Sequence, residues 1–329
     1  MHRPTLKDVA REAQCSVTTV SRVINHYGYL SEKTINAVHA AMKKLNYQPN
    51  SLARSLQGKR THLIGVIVPS ITNPFFAELV EEIENELLRN NYKMILCNSV
   101  TDKEKERAYL RMLIANQVDG VIAGAHNLGI GEYQRTGLPI VSFDRQLAPH
   151  IPIVSSDNYQ GMVHATRAMY RTGARHIYFL GNPHDEANPT IQRLRGYQDT
   201  VHSLGLQPHI CPVRFDDSPA VKKITIKDML TNHHPDAVVC TDDLTALLVL
   251  QTAQELHINV PTDLRVSGFD GTKLIQNYCP ELPTVVQPTR DIAAVLVNFL
   301  KQRIETPDKP VTESPCILPV TFRAGNLAN

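Results

Sequence analysis

The sequence predicts an α/β core of two doubly wound parallel-sheet lobes behind an N-terminal all-α helix-turn-helix headpiece. Three observations predict it. The first 48 residues carry short helical patterns. From His62 onward, short apolar runs alternate with amphipathic helical stretches, the pattern of parallel sheets flanked by helices. That alternation runs twice, in successive sets of four or five strands, which implies two similar lobes.

The elements follow in order. Thr5-Leu6-Lys7-Asp8 reads as an N-cap with an acid three residues on, and Leu6, Val9, Ala10 and Ala13 recur at helical spacing. Ser16 can cap a second helix, Val17 to Asn25, with Val20, Val23 and Ile24 inward. Tyr27-Gly28-Tyr29 breaks it. Ser31 caps a third helix with the stripe Ile35, Val38, Ala41, Met42 and Leu45. Leu52 and Leu56 keep helical spacing within 50–60, a stretch too short to be stable alone in water, so it reads as a linker that orders when something packs against it.

In the core, strands are expected at 63–68, 94–97, 120–123, 139–143, 177–180, 237–240 and 264–269. Helices are expected at 75–90, 103–116, 159–172, 190–204, 244–256 and 289–304.

Charge divides at the same place as the periodicity. The formal net charge is +2, but residues 1–62 hold ten Lys/Arg against three Asp/Glu, and the remainder holds 24 against 29. A basic N-terminal fifth of +7 precedes a body of −5. No window approaches the roughly 20 apolar residues of a membrane span, and the basic N-terminus lacks the apolar run of a signal peptide, so a cytosolic protein with no membrane partner is expected. The six cysteines (15, 97, 211, 240, 279, 316) are scattered without C-x-x-C spacing, which argues for buried free thiols over a disulfide framework or a zinc site.

Enzyme signatures are missing: no G-x-S-x-G elbow, no phosphate-binding G-x-x-x-x-G-K-[ST] loop, no H-E-x-x-H, and glycines at 124–131 out of dinucleotide order. His233 and His234 are adjacent and would point apart on a helix. No catalytic residue, metal ligand or cofactor is expected. The acids Asp144, Asp242 and Asp270 follow strands, where open α/β sheets bind ligands.

The headpiece carries the stronger signal. A recognition helix presents short, polar or forked side chains at its N-terminal end. Val17, Thr18, Ser21 and Arg22 fit that face: Arg22 can fork onto guanine and Val17 can touch a thymine methyl. Thr5, Ser16, Thr19, Asn25, Ser31 and Thr34 can hold phosphates through hydroxyl, amide or helix-end N–H groups. The local charge of +7 favours double-stranded DNA over a merely structural three-helix cap.

Several stretches resemble the LacI-type repressor family closely and in the family's order: Thr5-Leu6-Lys7-Asp8-Val9-Ala10, Val17 to Asn25, Leu45-Asn46-Tyr47-Gln48-Pro49-Asn50, Ala53-Arg54-Ser55-Leu56 and Ile64-Gly65-Val66-Ile67-Val68-Pro69. The resemblance covers essentially the whole chain. It implies a headpiece at 1–48, a hinge at 49–60 and an effector-binding and dimerisation core at 61–329, of periplasmic-binding-protein type. The N-lobe would take 61–157 plus 289–316, and the C-lobe 158–288 plus 317–329.

It also implies a homodimer on a pseudo-palindromic operator. Asn50 and Ala53 would lie in the hinge, and Leu56 would be its minor-groove wedge, which agrees with the physics of inserting an apolar side chain between base steps. The chain ends without an apolar heptad tail, so a dimer rather than a tetramer is expected. A sugar or sugar-phosphate effector would sit between the lobes, held by Asn73, Phe75, Phe76, Asp144, Arg145, Arg193, Thr241, Asp270 and Gln287. Aromatic faces suit the C–H faces of a sugar ring, and charged and amide groups suit its hydroxyls.

Within the family, 29–34, 51–59, 115–120 and 143–149 look most like repressors of sucrose operons. Ribose-operon repressors are the alternative, and a carbon-catabolite regulator answering to a phosphorylated carrier protein is a third reading. Two positions depart from the family pattern. Gln14-Cys15 stands where Gly-Val is usual, at the turn of the helix-turn-helix, and Thr241 replaces an amide.

Overall fold

The computed structural model describes residues 4–24, 27–48, 60–100, 102–124, 127, 129–182, 191–307 and 315–325. The chain divides into two units, Met1–Thr61 and His62–Asn329.

In the first unit, α1 (Leu6–Glu12), α2 (Val17–Ile24) and α3 (Glu32–Lys44) enclose a small core of Val9, Ala10, Val20, Val23, Val38 and Ala41. The expected caps are present. The Thr5 amide donates to the Asp8 carboxylate at 2.8 Å while Asp8 N–H donates back to Thr5 Oγ1 at 3.4 Å. Ser16 accepts from Thr19 N–H at 3.0 Å, and Ser31 from Thr34 N–H at 3.3 Å.

The turn between α1 and α2 is a Schellman closure. Gln14 N–H donates to Arg11 O and Cys15 N–H to Ala10 O. The closing position is Gln14 at φ 51°, so the departure from glycine places a side chain in the left-handed region.

The second unit holds two six-stranded sheets. The first contains β1 (Leu63–Val68), β2 (Lys93–Asn98), β3 (Gly120–Ala123), β4 (Ile140–Phe143), β5 (Ile153–Ser156) and β11 (Cys316–Leu318), in the order β11-β5-β4-β3-β1-β2, parallel throughout. The second contains β6 (Ile177–Gly181), β7 (His209–Pro212), β8 (Ala237–Cys240), β9 (Arg265–Asp270), β10 (Thr284–Val286) and β12 (Thr321–Arg323), in the order β12-β10-β9-β8-β6-β7, with β12 alone antiparallel.

Period-two alternation sorts each strand's side chains onto two helical layers. In the first sheet, Ile64, Val66 and Val68 face α4 (Pro74–Arg89) and α12 (Thr289–Glu305), whereas Ile67 joins Leu110 and Leu113 of α5 (Lys103–Ala115). A short α6 (Glu132–Arg135) adds Tyr133 to that second layer. In the second sheet, Tyr178 and Leu180 face α9 (Pro219–Asn232) and α10 (Asp243–Glu255). Ile177 and Phe179 face α7 (Asn158–Arg171) and α8 (Ile191–Ser203). The one-turn-and-a-half helix α11 (Lys273–Tyr278) follows β9.

Three points differ from the sequence expectation. Each sheet has six strands rather than four or five, because β5, β7 and β10–β12 are only three or four residues long and none has an apolar run longer than three. Helices α6, α9 and α11 were not anticipated. The last passage between lobes comes after Leu318 rather than after 316, since Ile317 and Leu318 pair with Ser155 and Ser156 of the first sheet. The chain therefore passes between the lobes at Ser156–Asn158, at Gln287–Thr289 and after Leu318.

Among the described residues the cysteines are free thiols, no helix is long and apolar enough to cross a membrane, and no side-chain cluster has metal-binding geometry.

Candidate functional site

On the headpiece, Val17, Thr18 and Arg22 are exposed along one side of α2, with Ser21 half-buried beside them. Thr5, Ser16 and Ser31 are exposed at the starts of α1, α2 and α3, each engaged in its own cap. Asn25, Asn50, Ala53 and Leu56 lie outside the described residues, as does the rest of the hinge up to Lys59.

The second candidate site is a cavity between the lobes of the core. The N-lobe side is built by the strand-to-helix turn after β1. Asn73 caps α4, its side-chain oxygen accepting from Phe75 N–H at 2.9 Å and Phe76 N–H at 3.4 Å, and Pro74 supplies the first helical residue. The cap uses the amide oxygen, so the donor end is what Asn73 offers a ligand. It also aims two rings inward: Phe75 lies 5.3 Å from Phe76 and 5.7 Å from Phe143, centroid to centroid. Asp144 follows Phe143 at the end of β4 with φ 55°.

The C-lobe side is polar. Arg193 of α8 is 6% exposed. Its Nε donates to Asn158 Oδ1 at 2.7 Å, its Nη1 donates to the Thr241 carbonyl, its guanidinium lies 3.6 Å from the Phe269 ring centre, and Asp270 is 4.0 Å away. Asn158 passes the interaction across the lobes, donating from Nδ2 to Asp144 Oδ1 at 3.1 Å. Gln287 stands at a crossover, donating to Asp270 at 2.7 Å and accepting from Ser156 Oγ at 2.6 Å. Asp270 has φ 120°, and Gly271 after it has φ 57° with its N–H on Asp243 at 2.7 Å. Two acids in the left-handed region at strand ends are backbone strain held at the cavity.

Burial dominates the electrostatics. It pushes the Asp144 carboxyl up to about 6 against the pull of Arg193, and raises Asp270 well above the carboxylate range, again opposed by Arg193. Burial raises Asp243 to about 7 although Thr284 Oγ1 donates to it at 2.6 Å. Arg193 is thus the cation shared by a cluster of acids packed where ionisation is costly.

Of the expected effector residues, Asn73, Phe75, Phe76, Asp144, Arg193, Thr241, Asp270 and Gln287 line this cavity. Arg145 does not. The left-handed backbone at Asp144 sends consecutive side chains apart, and Arg145 is buried where its charge offsets Glu106. Glu106 is fully buried and accepts from Tyr133 Oη and Asn127 Nδ2, each at 2.7 Å.

The sequence reading missed Asn158, and it missed Lys222, Thr245 and the 213–215 loop in the lining. The one available signal was Lys222. It holds the first position of the buried stripe Lys222, Ile226, Met229 and Leu230, at i, i+4, i+7 and i+8 of α9, where an aliphatic side chain is the norm.

The comparisons agree with this architecture. The family model described as bacterial regulatory proteins, lacI family, matches residues 5–50, and the periplasmic binding protein-like domain matches 166–324. A sucrose operon repressor of Pediococcus pentosaceus is 54% identical, covering 98% of this chain and 99% of that protein. A ribose operon repressor of Halalkalibacterium halodurans is 36% identical, covering 92% and 90%. Among solved structures, the lac repressor dimer bound to operator and the anti-inducer ONPF superposes with a TM-score of 0.86 at 25% identity, covering 99% of each chain.

Proposed function

Since the chain belongs to the lacI family of bacterial regulatory proteins, we propose that it is a sequence-specific DNA-binding repressor of a sucrose-utilisation operon, controlled by a sugar or sugar phosphate bound between the lobes of its core. The observation that carries the sugar half is the pairing of wall chemistries. Phe75 and Phe143 offer ring faces, while Arg193, Asp144 and Asp270 offer directional polar groups across the same cavity. Sucrose is favoured over ribose because the sucrose operon repressor shares 54% of its residues against 36% for the ribose operon repressor.

The mechanism follows from position. The cavity is bordered by two of the passages between lobes, at Ser156–Asn158 and Gln287–Thr289, and Ser156 is hydrogen-bonded to Gln287. A ligand that binds one lobe arrangement better than another shifts the population toward it. In a homodimer with one headpiece per protomer, that shift alters how the headpieces meet the two halves of an operator, which couples the sites. In this proposal Val17, Thr18, Ser21 and Arg22 read bases, the capped helix starts at Thr5, Ser16 and Ser31 sit on phosphates with Asn25, and Asn50, Ala53 and Leu56 form the hinge contact.

Fluorescence anisotropy with full-length protein and the pseudo-palindromic promoter site of a sucrose operon tests this. Binding is expected to be steeply salt-dependent and to change when sucrose, fructose or their phosphates are added. Arg22→Ala is expected to weaken operator binding by about 1–3 kcal/mol and to relax one base position. No binding to the site at low salt would overturn the reading.

A further inference from the structure

We propose that the effector is a sugar phosphomonoester and that Lys222 receives its phosphoryl group. The proposal rests on the reading of the cavity as a sugar site and adds the chemical class of the ligand.

Lys222 is 8% exposed and lines the cavity. Burying an ammonium is costly unless it is paired and hydrogen-bonded. Among the described residues Lys222 has no carboxylate within 4.0 Å, and its hydrogen bond is a long one, 3.4 Å to Thr245 Oγ1. That hydroxyl donates its own proton to Asp242 at 2.8 Å, and the other Asp242 oxygen is taken by Thr245 N–H at 2.7 Å. Two acids therefore lie near Lys222 without touching it: Asp242, whose oxygens are taken by Thr245, and Asp216, whose oxygens are taken by Arg214. An ammonium has three donors, so two are left for a ligand.

The neighbouring lysine and the two arginines of the cavity differ. Lys223, next in sequence, pairs with Glu255 at 2.7 Å. Arg193 is held by Asn158, Thr241 and Asp270. Arg214 lines the same wall and grips Asp216 through two bonds of 2.8 and 2.9 Å. Among the described residues that line the cavity, Lys222 is the buried cation in direct contact with no carboxylate.

It does so at a position where the helix pattern would otherwise place a hydrophobic side chain. A neutral sugar hydroxyl could accept from it but would bring the ammonium no anion in direct contact, Asp242 and Asp216 being turned to Thr245 and Arg214. A phosphoryl group brings close to two negative charges and three acceptor oxygens, and lysine binds phosphate as a point charge. The sugar ring then lies with the aromatic N-lobe wall and the Arg193 cluster, and the phosphoryl group at the α9 end of the cavity.

Isothermal titration calorimetry on the full-length protein decides it, using sucrose and sucrose 6-phosphate, fructose and fructose 6-phosphate, and inorganic phosphate. A phosphate ester is expected to bind at least about tenfold tighter than its neutral parent, the worth of one hydrogen bond to a charged group. Lys222→Gln is expected to collapse that ratio toward one, and Lys222→Arg to restore part of it. Equal affinity of ester and parent in the wild type overturns the proposal, and so does a ratio that survives Lys222→Gln. Should that variant fail to fold, the wild-type ratio still decides. If no sugar, neutral or phosphorylated, binds or alters operator affinity, the sugar reading itself falls and this proposal with it. A neutral sugar that binds without ester preference removes the proposal alone.

Discussion

The two lobes of the core share one winding and present opposite chemistries. The strand order 5-4-3-1-2 of the first sheet repeats as 10-9-8-6-7 in the second, and each sheet gains one late strand from the C-terminal segment, parallel in the first and antiparallel in the second. At the cavity, however, the N-lobe supplies Phe75, Phe76 and Phe143 with the Asn73 amide and a single acid, Asp144, while the C-lobe supplies Arg193, Lys222, Asp242 and Asp270 with a single ring, Phe215. In a doubly wound sheet the layers of side chains between strands and helices are committed to packing, but the residues just past the strand ends are not. The same scaffold can therefore carry one wall for ring faces and one for hydroxyls and charge. A ligand gains from both walls when the lobes hold it together, which is what lets binding bias their arrangement.

The largest expected effect lies on the polar wall. Arg193→Ala removes the guanidinium from Asn158, Thr241 and Asp270, and leaves the acids without their cation. Breaking a buried pair by deleting one partner costs about 3–5 kcal/mol. Urea unfolding should show a loss of that size in the core, with the response to sugar abolished. An unchanged midpoint would mean that the polar wall serves the ligand alone and does not hold the lobe together.

The same division explains what the sequence made legible. Strands β1, β3 and β8 are apolar runs, Asp144 and Thr241 follow strands directly and Asp270 ends β9, so strand ends and candidate ligands could be read together. Asn73-Pro74 reads as a helix start for local reasons, and so do Thr5, Ser16 and Ser31. Asn158 and Thr245 are different. Their roles exist only because crossover connections bring α7 and α10 to the cavity, and nothing local marks them. Helix α9 was missed because Lys222 opens its buried stripe with a charge and Val221, Ile224, Thr225 and Ile226 favour strand by side-chain type. Arg145 follows Asp144 directly but lies outside the cavity lining, because the backbone at Asp144 is left-handed and Arg145 is buried toward Glu106.

A smaller effect should appear at the acid that the N-lobe contributes. The Asp144 carboxyl is pushed up to about 6 by burial. Because the folded value lies above the unfolded one, the folded state holds the extra proton between about pH 4 and 6. Stability from this group is therefore full below that window, falls as pH rises through it, and stays lower above it. Asp144→Asn keeps an acceptor for Asn158 and removes the ionisation. The variant should gain on the wild type as pH rises from about 4 to 7, by at most about 2 kcal/mol, since the carboxyl borders the open cavity. Chemical denaturation of both proteins across that range measures it. A difference that stays constant with pH would show that Arg193 compensates Asp144 fully, making the two walls one electrostatic unit.

The smallest effect concerns the tie between the lobes outside the cavity. Glu78 and Glu82 lie one turn apart on α4 of the N-lobe. Glu78 accepts from the Lys273 backbone N–H at 2.7 Å and from Thr289 Oγ1 at 2.8 Å, and Glu82 accepts from Lys273 Nζ at 2.7 Å. The Lys273 side chain is 64% exposed, and an exposed ion pair is worth less than about 1 kcal/mol. Lys273→Met keeps the backbone bond to Glu78 and deletes the ion pair alone. Urea midpoints should drop by that small amount at low salt and coincide with the wild type near about 1 M salt, where screening extends only about 3 Å. Sugar affinity should move less than about fivefold, the equivalent of 1 kcal/mol. A loss of several kcal/mol, or one that persists in salt, would place the coupling of the lobes at this external tie. The chemistry of the two cavity walls would then be a matter of ligand choice only, without a part in moving the lobes.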